Sequence, residues 1–474
     1  MRPNASSVAE KLLPERIVAR LSPFLRRADA LLTGHDANAS AQRMSLTAFA
    51  IRVSSAAIAF LSQVLFARWM GQFEYGIFAL VWLTMIIVGN LSGFGFHTTI
   101  IRYVPEYIEK KLFGDLQGIL HTGRVFAIVS SSVIAVLGAA GIFLFRDTIE
   151  SYYVAPFYLG LICLPMIALG DMLDGTARSR SWAMMALTPT YIIRPVLTLA
   201  AMAVAHFLGF PETARIALIS AIFATYATTL FQFLSVRRGL ARTLPLAARK
   251  RSYRDWFSVS IPIFLVEGAA FLLISADVLL VGFFMSPGDV GVYFATTKIL
   301  ALVHFVYFSV KAGSAHRYSQ LIHEGDRSRL NSFVRNSVRW TFWPSIGMAA
   351  VILLLGWPLL ALFGPEFVVG YPLLFILVVG VIARASVGPS ESLLNMSGQQ
   401  KVCASIYMAT LAVNVLLNIF LIPRFGLYGA AIATALSMIF EALTLSIAVH
   451  RRLGIAMFVF ARQHPENTAT GTSR

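Results

Sequence analysis

Apolar runs of bilayer length recur from residue 45 to residue 449, and stretches such as MAAVILLLGWPLLALF at 348–363 carry no charge at all. A run of about eighteen residues or more crosses a bilayer as one helix. Lipid offers the backbone no hydrogen bonds, so a chain built this way folds as a bundle of helices that each satisfy themselves. The class is therefore all-α and polytopic. Composition agrees: 57% of the 474 residues are hydrophobic and 13% charged, against roughly a quarter charged in a soluble domain.

Twelve spans are expected, at about 45–66, 74–96, 121–145, 152–173, 183–207, 213–236, 256–285, 288–313, 338–363, 367–388, 401–422 and 427–449. The basic stretch RRGLARTLPLAARKRSYR at 237–254 holds seven Arg and Lys and no acid, and such a segment stays in the cytoplasm. Of 39 lysines and arginines, 31 fall on the side of that stretch, at loops, span ends and termini, whereas the opposite loops hold Arg68, Arg146, Arg215 and Arg424. Both termini are therefore placed in the cytoplasm. The same asymmetry accounts for the net charge of +16 without nucleic acid. The chain divides into a cytoplasmic arm at 1–44, a six-helix bundle at 45–236, a basic linker at 237–255, a second six-helix bundle at 256–450 and a cytoplasmic tail at 451–474. The arm reads as a basic amphipathic helix on the inner leaflet or as a solvated tail. The inner loops near 97–120 and 314–337 read as amphipathic surface helices. Cys163 and Cys403 both lie in apolar runs and read as small core residues.

An offset of 215 residues aligns the chain with itself. Glu74-Tyr75-Gly76 falls on Asp289-Val290-Gly291, Phe78 on Tyr293, Arg102-Tyr103 on Arg317-Tyr318, Glu109 on Glu324 and Arg124 on Arg339. Six spans per repeat makes the two halves parallel, with a site between them near the midplane, which is a transporter design.

Three segments carry a family resemblance. Met70-Gly71-Gln72-Phe73-Glu74-Tyr75-Gly76 resembles the turn after the first span of polysaccharide flippases. Leu393-Leu394-Asn395-Met396-Ser397-Gly398-Gln399-Gln400-Lys401 resembles an inner loop of theirs. Asn414, Asn418 and the run from Leu421 to Thr434, LIPRFGLYGAAIAT, resemble a third signature. The chain after residue 44 thus resembles the O-antigen and exopolysaccharide flippases of the multidrug/oligosaccharidyl-lipid/polysaccharide exporter superfamily. The resemblance implies two bundles forming a V around a central cavity. It also implies alternating access that carries an undecaprenyl-diphosphate-linked oligosaccharide across a bacterial inner membrane, alongside glycosyltransferases and a polymerase.

Ionisable groups inside spans mark pathways or pairs. Here they are Arg52, Arg194, Glu267, Asp277, Lys298 and Arg384. A diphosphate needs cations, and Arg52, Arg194 and Lys298 are the candidates for substrate binding. Glu267 and Asp277 are candidates for gating or coupling to a proton or sodium gradient. Arg52 and Glu267 are equivalent under the 215-residue offset and are expected to pair across the pseudo-two-fold axis, closing one side of the cavity. Arg384 lies near the inner end of its span and reads as snorkelling to the interface. His97 and His304 read as packed or as proton relays. The chain shows no nucleotide-binding loop, metal-ligand spacing or paired-carboxylate outer loop, so a transporter without a cofactor is expected. A cation-coupled multidrug exporter of the same superfamily is the alternative. A membrane glycan polymerase or ligase, which needs a large outer loop, comes third.

Overall fold

A computed structural model describes residues 37–245, 247–250 and 252–461; for 37–50, 52 and 53 it describes backbone alone. Most of the expected N-terminal arm and half of the tail lie outside these residues. The described chain is helical and contains no strand. Its helices are α1 (Ala37–Ser92), α2 (Phe96–Glu109), α3 (Phe113–Leu144), α4 (Ser151–Ser179), α5 (Ala183–Thr188), α6 (Arg194–Phe207), α7 (Ala214–Thr243), α8 (Tyr253–Phe284), α9 (Pro287–Glu324), α10 (Arg327–Phe363), α11 (Tyr371–Ala385), α12 (Ser390–Met396) and α13 (Gln400–Leu453).

Ten stretches among the described residues are long and apolar enough to cross a membrane, and the protein is a multi-pass membrane protein. The difference from the expected twelve lies in α1 and α13. Each is interrupted by one glycine in the left-handed region, Gly71 at φ 69° and Gly426 at φ 56°, where only a residue without Cβ sits unstrained. Each doubles back there. Gln63 and Tyr75 would be about 18 Å apart on a straight helix, yet the Tyr75 hydroxyl donates to Gln63 Oε1 at 2.9 Å. Gly429 likewise packs on the backbone of Leu421 and Ile422. The small residues of the expected twelfth span thus serve a close helix return.

The N-terminal half packs α1, α3, α4, α6 and α7 together, and the C-terminal half packs α8 to α13. The halves meet where α1 lies along α9, α8 and α10, and where α2 lies on α8. Their contact is two-fold at the end away from the basic linker. A Cβ on Gly76 would run into the Pro287 carbonyl, and one on Gly291 would stand 2.6 Å from the Gln72 carbonyl oxygen. Gln72 and Pro287 are related by the same 215-residue offset as Gly76 and Gly291, so the repeat aligned in sequence is a symmetric contact in space. The acid of each repeat caps a helix there. Asp289 forms a reciprocal capping box with Ser286 at the start of α9, while Glu74 accepts the Ala214 N–H at the start of α7 at 2.7 Å.

At the linker end, α2 is the surface helix expected near 97–120, with Phe96, Ile100, Val104 and Tyr107 buried. The second expected surface helix is absent: α9 runs on to Glu324 and α10 starts at Arg327. The polar sequence there contains one break, at Gly325, and Asp326 caps α10 by accepting the Arg329 N–H at 2.9 Å. Helix therefore propagates through both flanks.

Candidate functional site

Between the halves lies a cavity of about 430 Å³. Both arms of α1, the start of α6 and one turn of α9 wall it, and its ionisable residues are Tyr191, Arg194 and Lys298. No carboxylate is among the described residues lining it. The backbone that delivers Arg194 is irregular: a π-helical turn spans Pro189–Ile193, and the Arg194 N–H reaches back five residues to the Pro189 carbonyl. Pro195 has no N–H to continue an ordinary ladder, and a π turn is where a helix accommodates such a gap. The Arg194 guanidinium lies 5.8 Å from the Trp82 ring centroid, and Lys298 Nζ lies 4.3 Å from that of Phe294. Both cations therefore rest on aromatic faces at the cavity wall, which favours a charged head kept from bulk water.

The structure thus brings Arg194 and Lys298 to one cavity. The Arg52 side chain lies outside the described residues. Its position in α1 is three, four and seven residues before Ser55, Ala56 and Ala59, which all line the cavity, and that spacing is one helix face.

The expected partner of Glu267 is also Arg52, so that pair falls outside the description. Glu267 is held by α2 of the N-terminal half: the Thr98 hydroxyl donates to Oε1 at 2.8 Å, and His97 Nε2 is 3.4 Å from Oε2. It does bridge the two halves, but through the surface helix. His97 lies outside the spans, and burial lowers its imidazole below the ordinary value; the nearby Glu267 opposes that shift and Arg178 adds to it.

Asp277 is buried within the C-terminal half. It accepts from the Tyr293 hydroxyl at 3.0 Å, from Thr434 Oγ1 at 3.3 Å and from the Val278 N–H at 2.8 Å. It lines a second cavity of about 310 Å³, shared with Lys298, His304, Lys311, Arg384, Glu391 and Glu441. Here a sequence reading is overturned. Arg384 does not snorkel: it lies 3.0 Å from Glu441 Oε1 and 3.8 Å from Glu391 Oε2, with its guanidinium 4.8 Å from the Tyr307 centroid. Glu391 also pairs with Lys311. Two cations and two carboxylates thus neutralise one another where unpaired charge is costly.

Acids in the N-terminal half were also missed. On α4, Asp171 accepts from Asn90 Nδ2 at 3.1 Å, while Asp174 pairs with Arg178 at 2.7 Å. A sequence signal was present in the motif DMLD at 171–174, near the expected inner end of a span.

Residues 44–315, more than half of the chain, match the family described as Polysaccharide biosynthesis protein. The chain is 24% identical over 405 residues to the "Probable low-salt glycan biosynthesis flippase Agl15" of Haloferax volcanii, covering 83% of this chain and 80% of that protein. Among solved structures it superimposes on an inward-facing multidrug resistance MATE family transporter of the MOP superfamily with a TM-score of 0.68 at 14% identity, covering 84% of this chain and 94% of the other. The lipid II flippase MurJ, in an inward closed conformation, gives a TM-score of 0.65 at 15% identity, covering 85% and 87%. These two likenesses establish the V-shaped fold of that superfamily. The family match establishes more: the chain belongs to the polysaccharide biosynthesis protein family.

Proposed function

We propose that this protein flips a polyprenyl-diphosphate-linked oligosaccharide across a bacterial cytoplasmic membrane by alternating access. In this reading the chain crosses twelve times, the bundles at 45–236 and 256–450 rock about the central cavity, and both termini and the 237–255 linker are cytoplasmic. The carrier lipid is undecaprenyl diphosphate, and the flipped units pass from glycosyltransferases to a polymerase for exopolysaccharide, capsule or O-antigen. The observation that supports it best is the inter-half cavity with Arg194 and Lys298 on its wall and no carboxylate among its described lining. A diphosphate is the anion such a wall suits: Arg offers a planar fork and Lys a point charge.

Glu267 serves as the gate, through His97 and Thr98. Asp277, a buried carboxylate in a cavity that Lys298 also lines, carries coupling to a proton or sodium gradient. Arg194→Ala, Lys298→Ala and Arg52→Ala are each tested for surface glycan and for lipid-linked units retained inside. Normal export in all three variants would remove the cavity from the pathway. Reporter fusions after residues 245 and 460 should read as cytoplasmic and one at 288 as external.

The cation-coupled multidrug exporter shares the fold, and Asp171 on α4, bonded to Asn90, is the acid that would favour it. That reading predicts accumulation of cationic dyes in Asp171→Asn cells with glycan export intact.

A further inference from the structure

On the other side of the N-terminal half, a hollow of about 510 Å³ lies between α3, α4 and α7. It shares no lining residue with the central cavity. Ile128, Phe223 and Leu230 on its rim are exposed, so it opens toward lipid. Its hydroxyls are spent on its own walls: Tyr226 donates to the Ile162 carbonyl at 3.1 Å and Thr229 to the Met166 carbonyl at 3.3 Å. What remains is apolar surface and one cation, Arg124.

Arg124 is incomplete. Its Nε and Nη2 are buried and meet no acceptor among the described residues. Its one described partner is the Phe233 ring, 5.9 Å from the guanidinium carbon. Arg237 follows Phe233 by one turn of α7, so the next charge along that face is of the same sign. The basic linker is fixed beside the first turns of α3. The Lys250 N–H donates to the Gly114 carbonyl at 3.0 Å, and the strand of linker rests on Gly114 and Gly118, where a Cβ would meet the Ala248 and Lys250 carbonyls. Asp115, the acid of the first turn of α3, is engaged by Lys250 Nζ at 3.7 Å and by the Ser252 hydroxyl at 3.3 Å. A buried guanidinium with unmet donors is unfavourable until an anion arrives.

Depth identifies the anion. The 32 residues of α3 rise about 48 Å, against a hydrocarbon core of about 30 Å. With Leu144 set at the opposite boundary, about twenty residues of helix put Arg124 at the linker-side edge of the hydrocarbon core, from which a long side chain reaches phosphate groups. An apolar hollow reaching inward from a phosphate-level cation matches a lipid chain below its own headgroup.

The geometry points to a binding site for an anionic phospholipid of the linker-side leaflet, with its phosphate on Arg124 and one acyl chain in the hollow between α3, α4 and α7. The site depends on no assumption about the transported substrate. The test uses the full-length protein in neutral detergent, with lipid binding read by native mass spectrometry. Phosphatidylglycerol should bind about tenfold more tightly than phosphatidylcholine of the same chains, the scale of one charge-assisted hydrogen-bonded contact, and the preference should shrink with salt. Arg124→Gln should abolish the preference, and Arg124→Lys should keep part of it. Ala227→Phe, which fills the hollow, should weaken phosphatidylglycerol binding while the protein elutes as wild type. An equal affinity for both lipids, an unchanged preference in Arg124→Gln, unchanged binding in Ala227→Phe, or capture of undecaprenyl phosphate in preference to phosphatidylglycerol would each overturn the assignment.

Discussion

Gly76 and Gly291 lie 215 residues apart in the chain and against one another in the structure, a Cβ on the first standing 2.9 Å from the nitrogen of the second. Two helices approach this closely only where neither carries a side chain. The contact holds the two halves together at the end away from the linker. Tyr75, Phe294, Phe363 and Phe367 pack beside it as a ring cluster with centroids 5.7–6.4 Å from Tyr75.

Gly76→Ala should therefore hold that end open. The new methyl would meet backbone, which does not yield as a flexible side chain does, and overpacking of this kind costs about 1–3 kcal/mol. Ala59→Cys on the cavity wall reports the change, because Cys163 and Cys403 are both buried. An impermeant maleimide added from outside should label it roughly tenfold faster in the Gly76→Ala background. Gly291→Ala should act in the same direction.

Arg68 latches the same end. Its Nε donates to the Leu362 carbonyl at 2.7 Å and its Nη2 to the Ala361 carbonyl at 3.0 Å, so a cation of one half caps the last turn of α10 in the other. The group is exposed, so about 1 kcal/mol is a fair scale. Arg68→Ala should raise the same labelling rate about fivefold, and Arg68→Lys should recover less than half of the difference.

The buried network around Arg384 should behave as a unit. Glu441→Gln leaves a buried guanidinium with its more distant partner, and removing one member of such a pair costs about 3–5 kcal/mol. Thermal unfolding should show a large loss for Glu441→Gln and for Arg384→Met singly, and less than their sum for the double variant. Additive losses would mean that the two side chains act separately.

His97 gives the fold an acid-sensitive seam. Its lowered imidazole favours the neutral ring in the folded state. The stability tied to it is thus full above the ordinary histidine value of about 6.5 and falls as pH drops below it. His97→Gln, which keeps a donor for Glu267, should flatten the decline in melting temperature between about pH 6.5 and 5. A decline of the same slope in the variant would assign it to other groups.

The lipid-facing part of the fold was legible because a bilayer permits so few alternatives: each observed membrane stretch overlaps an expected span. The 215-residue offset was legible too, since Gly76 and Gly291 need the same absent Cβ. Partnerships were harder to read. Arg384 was assigned to the interface because sequence gives depth along a helix but not which way a side chain turns. Its partners Glu391 and Glu441 come from other segments of the chain, at no fixed spacing. Glu267 was matched to Arg52 by symmetry, a pair outside the described residues; symmetry gave no hint of α2, whose Thr98 and His97 reach Glu267. Arg124 was visible only as a repeat match to Arg339. Arg339 is exposed, and nothing in the pairing foretold a hollow beside Arg124.

The first turns of α8 are fastened to the other half. Trp256 Nε1 donates to the Tyr107 hydroxyl at 2.9 Å, and the Ser260 hydroxyl donates to the Phe94 carbonyl. Two residues later comes Pro262, which lacks the N–H that would stiffen the next turn. A torque applied to the C-terminal bundle would therefore not be taken up in the basic linker, where the covalent boundary lies, because both flanks of that boundary are anchored on the same side. The fastening continues past Pro262 to Glu267, held by Thr98 and His97, so the first half of α8 belongs mechanically to the body that precedes it.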